Sequence, residues 1–397
     1  MLNTKFPDWP NYSKKEADLA SKILQSNKVN YWTGTECKKF EEEFSNYLGA
    51  NYAVALANGT IALDAALKSL EIGSGDEVIV TSRTFIASVS SIANSGAVPI
   101  FADICTNSQN ITSTSIKKSI TKRTKAIVCV HLAGYPCEMR NIMKIAKENN
   151  LYVIEDCAQA HGAKYRGKNV GTIGDVGCWS FCQDKILTTA GEGGMVTTNN
   201  KNLWKKIWSL KDHGKSYDAI HKKNNDGVFN WVHGTYGFNW RMTEIQAAIG
   251  RFQLKKLPSW NKKRNHNQNY IWKFCRKING LRVPEFNSKN WKFFHPDNVH
   301  GAYKCYVFVE TKKLKSGWNR DRILNEINSM GVPCYAGSCS EVYLEEACRN
   351  VRPKKSLNNA KELGDTSLMF LIHPNLLNKH MKLTCNAIGK VMKKAVI

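Results

Sequence analysis

Between about residues 52 and 155 the chain alternates between two patterns of apolar and polar positions. Short apolar, β-branched runs at 52–57, 77–81, 98–104, 126–132 and 151–155 predict strands. The stretches between them, at 61–70, 86–94, 113–120 and 139–149, carry apolar residues three and four apart and predict helices. Strands that are apolar throughout, separated by amphipathic helices, are what a mainly parallel sheet covered on both faces requires. Two helices come first. One covers 14–25, with Ser13 as cap and Glu16 completing a capping box, and the other covers 36–48 and stops at Gly49. After the alternation come two more β-type runs, 176–181 and 195–198, joined by a glycine-rich turn. The stretch 212–236 then breaks into Gly, Asn, Lys, His and aromatic residues, and an irregular segment of that length inside a domain marks a functional or mobile loop. Helical spacing returns over 242–257 and ends at Pro258, and a basic helix to about 278 leads into a second domain. That domain should contain a strand at 303–309, a helix at 320–330, a strand at 332–335 and helices at about 358–368 and 379–396. The expected organisation is α/β, with a large domain and N-terminal arm over 1–257 and a smaller C-terminal α/β domain over 258–397.

In a sheet of this kind ligands sit beyond the carboxyl ends of the strands. The residues expected there are Asn58-Gly59-Thr60, Ser82-Arg83-Thr84-Phe85, His131 and Asp156, and they should converge. Taken singly, each has an ordinary structural explanation. Asn58-Gly59-Thr60 can be a turn and helix cap, or free backbone amides and a hydroxyl that cradle a phosphate. Phe85 can be core, or a flat ring covering a ligand. Asp156 can be a cap or an ion-pair member, or a buried carboxylate that needs a cation to stay charged. His161 can be a base or a packed core residue. The 176–181 run delivers Lys185 to a tight turn, and lysine is the usual amine for covalent Schiff-base chemistry once its neighbours lower its pKa.

Composition narrows the class of protein. Of 397 residues, 42% are hydrophobic, which suffices for a large core, and no apolar run approaches the roughly 18–20 residues of a membrane span. The first residues lack the basic-then-apolar layout of a secretory leader. The thirteen cysteines show no paired CxxC spacing, as expected of reduced thiols in a cytoplasmic protein without a zinc site. The net charge of +24 is spread in twos and threes, as in Lys14-Lys15 and Lys262-Lys263-Arg264. It reads as general solvated surface, with an electrostatic preference for phosphate-bearing ligands as the alternative and nucleic-acid binding a more distant one.

Six motifs in order make the combination specific. They are Asn58-Gly59-Thr60; Gly75-Asp76-Glu77-Val78-Ile79-Val80 leading to Thr84-Phe85; Glu155-Asp156-Cys157-Ala158-Gln159-Ala160-His161-Gly162; Gly174-Asp175-Val176-Gly177 through Lys185; Gly191-Glu192-Gly193-Gly194-Met195; and Gly237-Phe238-Asn239-Trp240-Arg241-Met242 with Gln246-Ala247-Ala248. In these the chain resembles the DegT/DnrJ/EryC1/StrS sugar aminotransferases, over most of 12–260 and more weakly beyond. The resemblance implies fold-type I and pyridoxal 5′-phosphate (PLP) as cofactor. It also implies a role for each matching residue. Lys185 would hold PLP as a Schiff base and carry the proton between cofactor C4′ and the substrate carbon. Asp156 would pair with the pyridinium nitrogen, making the ring an electron sink, and Gln159 would lie near its phenolic oxygen. Phe85 would stack on the ring, and Gly59, Thr60 and Ser180 would hold the phosphate. Asn239 would reach the phosphate of the neighbouring subunit, which requires a homodimer with shared sites.

The activity implied is transfer of an amino group from L-glutamate, leaving 2-oxoglutarate, to a nucleotide-linked keto sugar, with a 4-keto-6-deoxyhexose the expected acceptor. The product would serve surface-polysaccharide synthesis such as lipopolysaccharide O-antigen. Relatives with a histidine in place of the lysine deoxygenate instead, so Lys185 favours transamination over the alternative of a PLP-dependent sugar dehydratase. One segment departs from the family pattern. Many relatives carry Leu-His and an aromatic residue where this chain reads Cys334-Tyr335-Ala336-Gly337-Ser338-Cys339, and this segment bears on sugar identity.

Overall fold

A computed structural model describes residues 6–221, 231–286 and 294–397. The first five positions read for a leader, and 222–230 within the irregular stretch, lie outside the described residues. The strands are β1 (Tyr52–Leu56), β2 (Glu77–Thr81), β3 (Val98–Ala102), β4 (Thr124–Val130), β5 (Tyr152–Asp156), β6 (Lys164–Tyr165), β7 (Lys168–Asn169), β8 (Val176–Ser180), β9 (Gly194–Thr198), β10 (Leu281–Arg282), β11 (Cys305–Val309), β12 (Cys334–Tyr335) and β13 (Ser367–Phe370). The helices are α1 (Lys14–Gln25), α2 (Glu36–Leu48), α3 (Gly59–Ser69), α4 (Ala87–Asn94), α5 (Ser113–Ser119), α6 (Met139–Glu148), α7 (Lys201–Lys211), α8 (Tyr217–His221), α9 (Glu244–Leu254), α10 (Leu257–Cys275), α11 (Arg320–Ser329), α12 (Asn358–Thr366) and α13 (Asn378–Ala395).

Seven strands form the large sheet in the order β1-β9-β8-β5-β4-β2-β3. The neighbours from β3 across to β8 pair parallel, whereas β9 runs antiparallel to both β8 and β1. The reversal at β9 follows from the chain: β8 returns through a turn instead of a crossover helix, and only an antiparallel partner can follow so directly. Side chains alternate across the sheet with period two. Val78 and Val80 pack with α3, α4 and α7, while Ile79 packs with α5 and α6. On β1, Val54 and Leu56 join the first of these layers, while Ala53 and Ala55 face α2 and α9. Both faces of the sheet are therefore dry, as the continuous apolar runs require.

The second sheet, β10-β11-β13-β12, is antiparallel throughout and packs with α10, α11 and α13 around its own core. A small apolar cluster that includes Ile104, Tyr306, Phe308 and Met369 lies where the two sheets' environments meet. Most expected elements occur within a few residues of their reading, with instructive shifts. Pro258 does not end a helix but sits in the first turn of α10, where its missing N–H costs nothing. The helix expected to reach 368 stops at Thr366, and Ser367–Phe370 is a buried strand. Helix α7 was not anticipated.

Candidate functional site

Five structural positions build one cleft of about 810 Å³ at the carboxyl ends of the large sheet. The first is the β1–α3 junction. Asn58 caps α3, its Oδ1 accepting from the Ile61 N–H at 3.0 Å, a contact that stabilises a helix start by roughly 1 kcal/mol. Gly59 and Thr60 line the cleft in the first helical turn, where backbone N–H groups have no intrahelical acceptor. A Cβ on Gly59 would stand 2.5 Å from the Ser180 Cβ, so a glycine is what allows the end of β8 to meet the helix N-terminus. Ser180 Oγ accepts from the Cys182 N–H at 3.3 Å, which leaves its O–H to donate elsewhere. A hydroxyl, a helix N-terminus and a close glycine make an anion cup.

The second position is the end of β5. Asp156 is buried, with Oδ2 accepting from the Ser88 hydroxyl at 2.7 Å and Oδ1 from the Ala158 N–H at 3.1 Å. Burial holds its pKa above the ordinary carboxylate value, partly opposed by the Ser88 and Ala158 hydrogen bonds and by Lys185. A carboxylate in that setting is stabilised by a cation placed against it. The third is Gln159, whose Oε1 accepts from the Ala133 N–H at 2.8 Å. Because that donor fixes which end of the amide is oxygen, the NH₂ remains as a donor. The fourth is Phe85, which follows β2 and stands 68% exposed at the cleft, unusual for a phenylalanine that does no more than pack.

The fifth is the β8–β9 turn. Phe181 N–H donates to Gly193 O at 2.8 Å, Thr188 Oγ1 donates to Phe181 O at 3.0 Å, and Lys185 N–H donates to Cys182 O at 3.0 Å. These bonds pin the turn, and Gly191 supplies a φ of 123° that other residues rarely adopt. The Trp9 indole N–H donates to Lys185 O at 2.8 Å and ties the N-terminal arm to the same turn. Lys185 Nζ lies 3.3 Å from Asp184 Oδ1 and 5.3 Å from the Tyr303 ring centroid, with its side chain 18% exposed.

The structure thus gathers Gly59, Thr60, Phe85, Asp156, Gln159, Ser180 and Lys185 around one cavity. Asn239 lies apart from it. It is exposed and pairs with Asp212 in an isolated bridge, while the flanking Trp240 O accepts from Ala57 N–H. His131, expected at the same strand ends, turns into the core instead. Its Nε2 meets Glu155 Oε2 at 3.0 Å and its Nδ1 accepts from the Cys137 N–H. His161 packs against Trp179 and Phe181, and burial, with Lys185 and Arg264 nearby, pushes its pKa down to about 3. At neutral pH it is an uncharged core ring. Ser88, Tyr303 and Lys304 also line the cleft but were not singled out beforehand. Ser88 had a signal in its position one turn beyond Phe85, whereas the other two come from the distant C-terminal part.

Among the described residues the donor set matches PLP group for group. There is an amine, a buried carboxylate awaiting a cation, a planar ring at an open wall, and an anion cup. A mainly parallel sheet reversed at the strand after such a lysine, with a smaller C-terminal α/β domain, defines a fold-type I PLP-dependent enzyme. Over residues 10–389 the chain matches the DegT/DnrJ/EryC1/StrS aminotransferase family, and it belongs to that family. It is therefore an aminotransferase, and its cofactor is PLP. An aminotransferase from Psychrobacter cryohalolentis, known by X-ray structure, superposes with a TM-score of 0.95 at 53% identity, covering 98% of this chain and 99% of that one. A GDP-perosamine synthase from Caulobacter vibrioides is 45% identical over 81% of each chain. The spore coat polysaccharide biosynthesis protein SpsC of Bacillus subtilis is 36% identical over 80% of this chain and 78% of its own length.

Proposed function

We propose that this enzyme transfers the amino group of L-glutamate to a nucleotide-linked 4-keto-6-deoxyhexose, yielding an amino sugar for surface-polysaccharide synthesis. The observation that carries the reading is the placement of Lys185 and the buried Asp156 on one cleft with the Ser180–Gly59 cup. The names of the relatives, a GDP-perosamine synthase and a polysaccharide biosynthesis protein among them, support a sugar acceptor.

Bound PLP supplies an electron sink for the carbon that loses its proton. Asp156 holds the positive charge on the ring nitrogen, supported by Ser88. Gly59, Thr60 and Ser180 would hold the phosphate, Phe85 would cover the ring, and the Gln159 amide, whose NH₂ is left as a donor, would serve the phenolic oxygen. Lys185 would hold the cofactor through its amine and, once that amine is free, would serve as the base that carries the proton from the substrate carbon. The residues Gly337, Ser338 and Cys339 form another part of the cleft wall. Cys339 O accepts from Thr84 N–H at 3.1 Å, and the Tyr306 hydroxyl accepts from Ser338 N–H at 2.8 Å. This wall, where the sequence departs from many relatives, selects the sugar.

Asn239 acts from the neighbouring subunit in a homodimer. Tyr236, 98% exposed, and the exposed Asn239 beside it support a covering partner here. The large and small domains divide near the start of α10, at 257/258. Thirteen free cysteines support a cytoplasmic location. The test is incubation with glutamate and a panel of nucleotide keto sugars, read by mass. Replacement of oxygen by an amino group is expected, and loss of oxygen without amine incorporation would instead mark a dehydratase.

A further inference from the structure

Beside the cofactor cleft lies a second, partly open chamber of about 260 Å³, bordered by the N-terminal arm, α10, β12 and the segment after β13. Asp184, Tyr303 and Lys304 line both cavities, so the two share a wall. Arg264 lines the chamber from α10 and is only 2% exposed. Its Nη1 donates to Tyr303 O at 3.3 Å, and its Cζ lies 4.8 Å from the Trp9 ring centroid. Among the described residues its Nε and Nη2 have no hydrogen-bond partner. These two N–H groups share one edge of the guanidinium, the edge that grips a carboxylate through two parallel hydrogen bonds. Burying that edge unmet is costly unless a ligand meets it.

The surrounding charges leave the edge available. Asp184 is already engaged by Lys185 at 3.3 Å, by Lys304 at 3.9 Å and by the Tyr303 hydroxyl, while Asp8, which also borders the chamber, is exposed. Burial pushes Arg264 down to about 9, with Tyr303 and Asp184 opposing, so it stays charged at neutral pH. Trp9 packs on both Arg264 and His373 and hydrogen-bonds the lysine turn, which links this chamber mechanically to the catalytic one.

We propose that Arg264 is a specificity residue for the amino donor, its free edge binding one carboxylate of a dicarboxylic amino acid whose amine reaches the Lys185 cleft across the shared wall. This rests on the proposal that glutamate is the donor. A nucleoside diphosphate is a second source of oxyanion, and the experiment separates the two. Glutarate, a dicarboxylate that cannot transaminate, and a nucleoside diphosphate are titrated separately by calorimetry into PLP-loaded wild type, Arg264→Gln and Arg264→Lys. Losing a bidentate charged pair should weaken glutarate roughly 10–100-fold in Arg264→Gln, with nucleoside diphosphate and PLP retention unchanged. Arg264→Lys, which keeps the charge without the fork, serves if the glutamine variant fails to fold and should lose most of the same affinity. Glutarate affinity within twofold of wild type in a folded variant overturns the proposal, as does a loss confined to nucleoside diphosphate. Failure of wild type to take an amine from glutamate sinks the donor reading instead, and the glutarate titration still decides the role of Arg264.

Discussion

Asp156 shows how one side chain can be both costly and useful. Its carboxylate is removed from water, and two hydrogen bonds only partly compensate, so burial holds its pKa above the ordinary 3.8. In its proposed role, a cofactor cation set against it would remove the remaining penalty, and the ring nitrogen would in turn keep its proton. The sign follows directly. Above the raised pKa the group is charged and able to pair with a ring cation. As pH falls through that pKa it becomes neutral, and the pairing is lost. PLP affinity should therefore weaken on acidification, beginning at a pH above that of an ordinary aspartate. Asp156→Asn should abolish that dependence and lower turnover by about 10²–10³-fold, comparable to removing one preorganised electrostatic contact at a reacting centre. Equilibrium dialysis of PLP against pH and steady-state kcat check both parts. At this scale the sequence was informative where a residue sits in a distinctive motif, since Lys185, Asp156 and Ser180 all line the one cleft. It was silent about Arg264 and Lys304, because nothing in a basic chain distinguishes a buried arginine or lysine from the many solvated ones.

Among elements, the meeting of α3 with the end of β8 carries the site. The approach is so close that a methyl group on Gly59 has no room beside Ser180. Gly59→Ala should push the helix start away from the serine, costing about 1–3 kcal/mol of stability by overpacking and weakening PLP retention at least tenfold. Denaturant midpoints and PLP titration measure the two effects separately. Element prediction worked best where the pattern was long or bounded by caps. Lys14–Gln25 and Glu36–Leu48 have the expected limits. It worked least well for short apolar segments, since Ser367–Phe370 has too few residues to display a period and was absorbed into the preceding helix. Helix α7 did carry a signal, an Asn200 cap followed by Leu203, Ile207 and Trp208 on one buried face, although it lies close after the glycine-rich return.

For the whole molecule, the parallel order of strands was legible from the alternation, but the reversal at β9 was not, because period-two runs do not encode direction. Nor does the sequence reveal that the segments 303–306 and 337–339 close the cleft from the C-terminal part. That proximity arises from two separately packed cores meeting, and no local pattern records it. Of the residues that make up the net charge of +24, Lys185, Lys304 and Arg264 lie near the sites where anions are expected. Among the described residues no helix is long and apolar enough to cross a membrane.

Lys185 is proposed to perform the amino-group exchange. The most direct test is to mix PLP-loaded enzyme with L-glutamate in the absence of sugar while following cofactor absorbance and 2-oxoglutarate release. Wild type should replace the long-wavelength PLP band with that of the pyridoxamine form and release about one 2-oxoglutarate per site. Lys185→Ala should hold PLP yet release none on the same timescale. Release at the wild-type rate by the alanine variant would contradict the account.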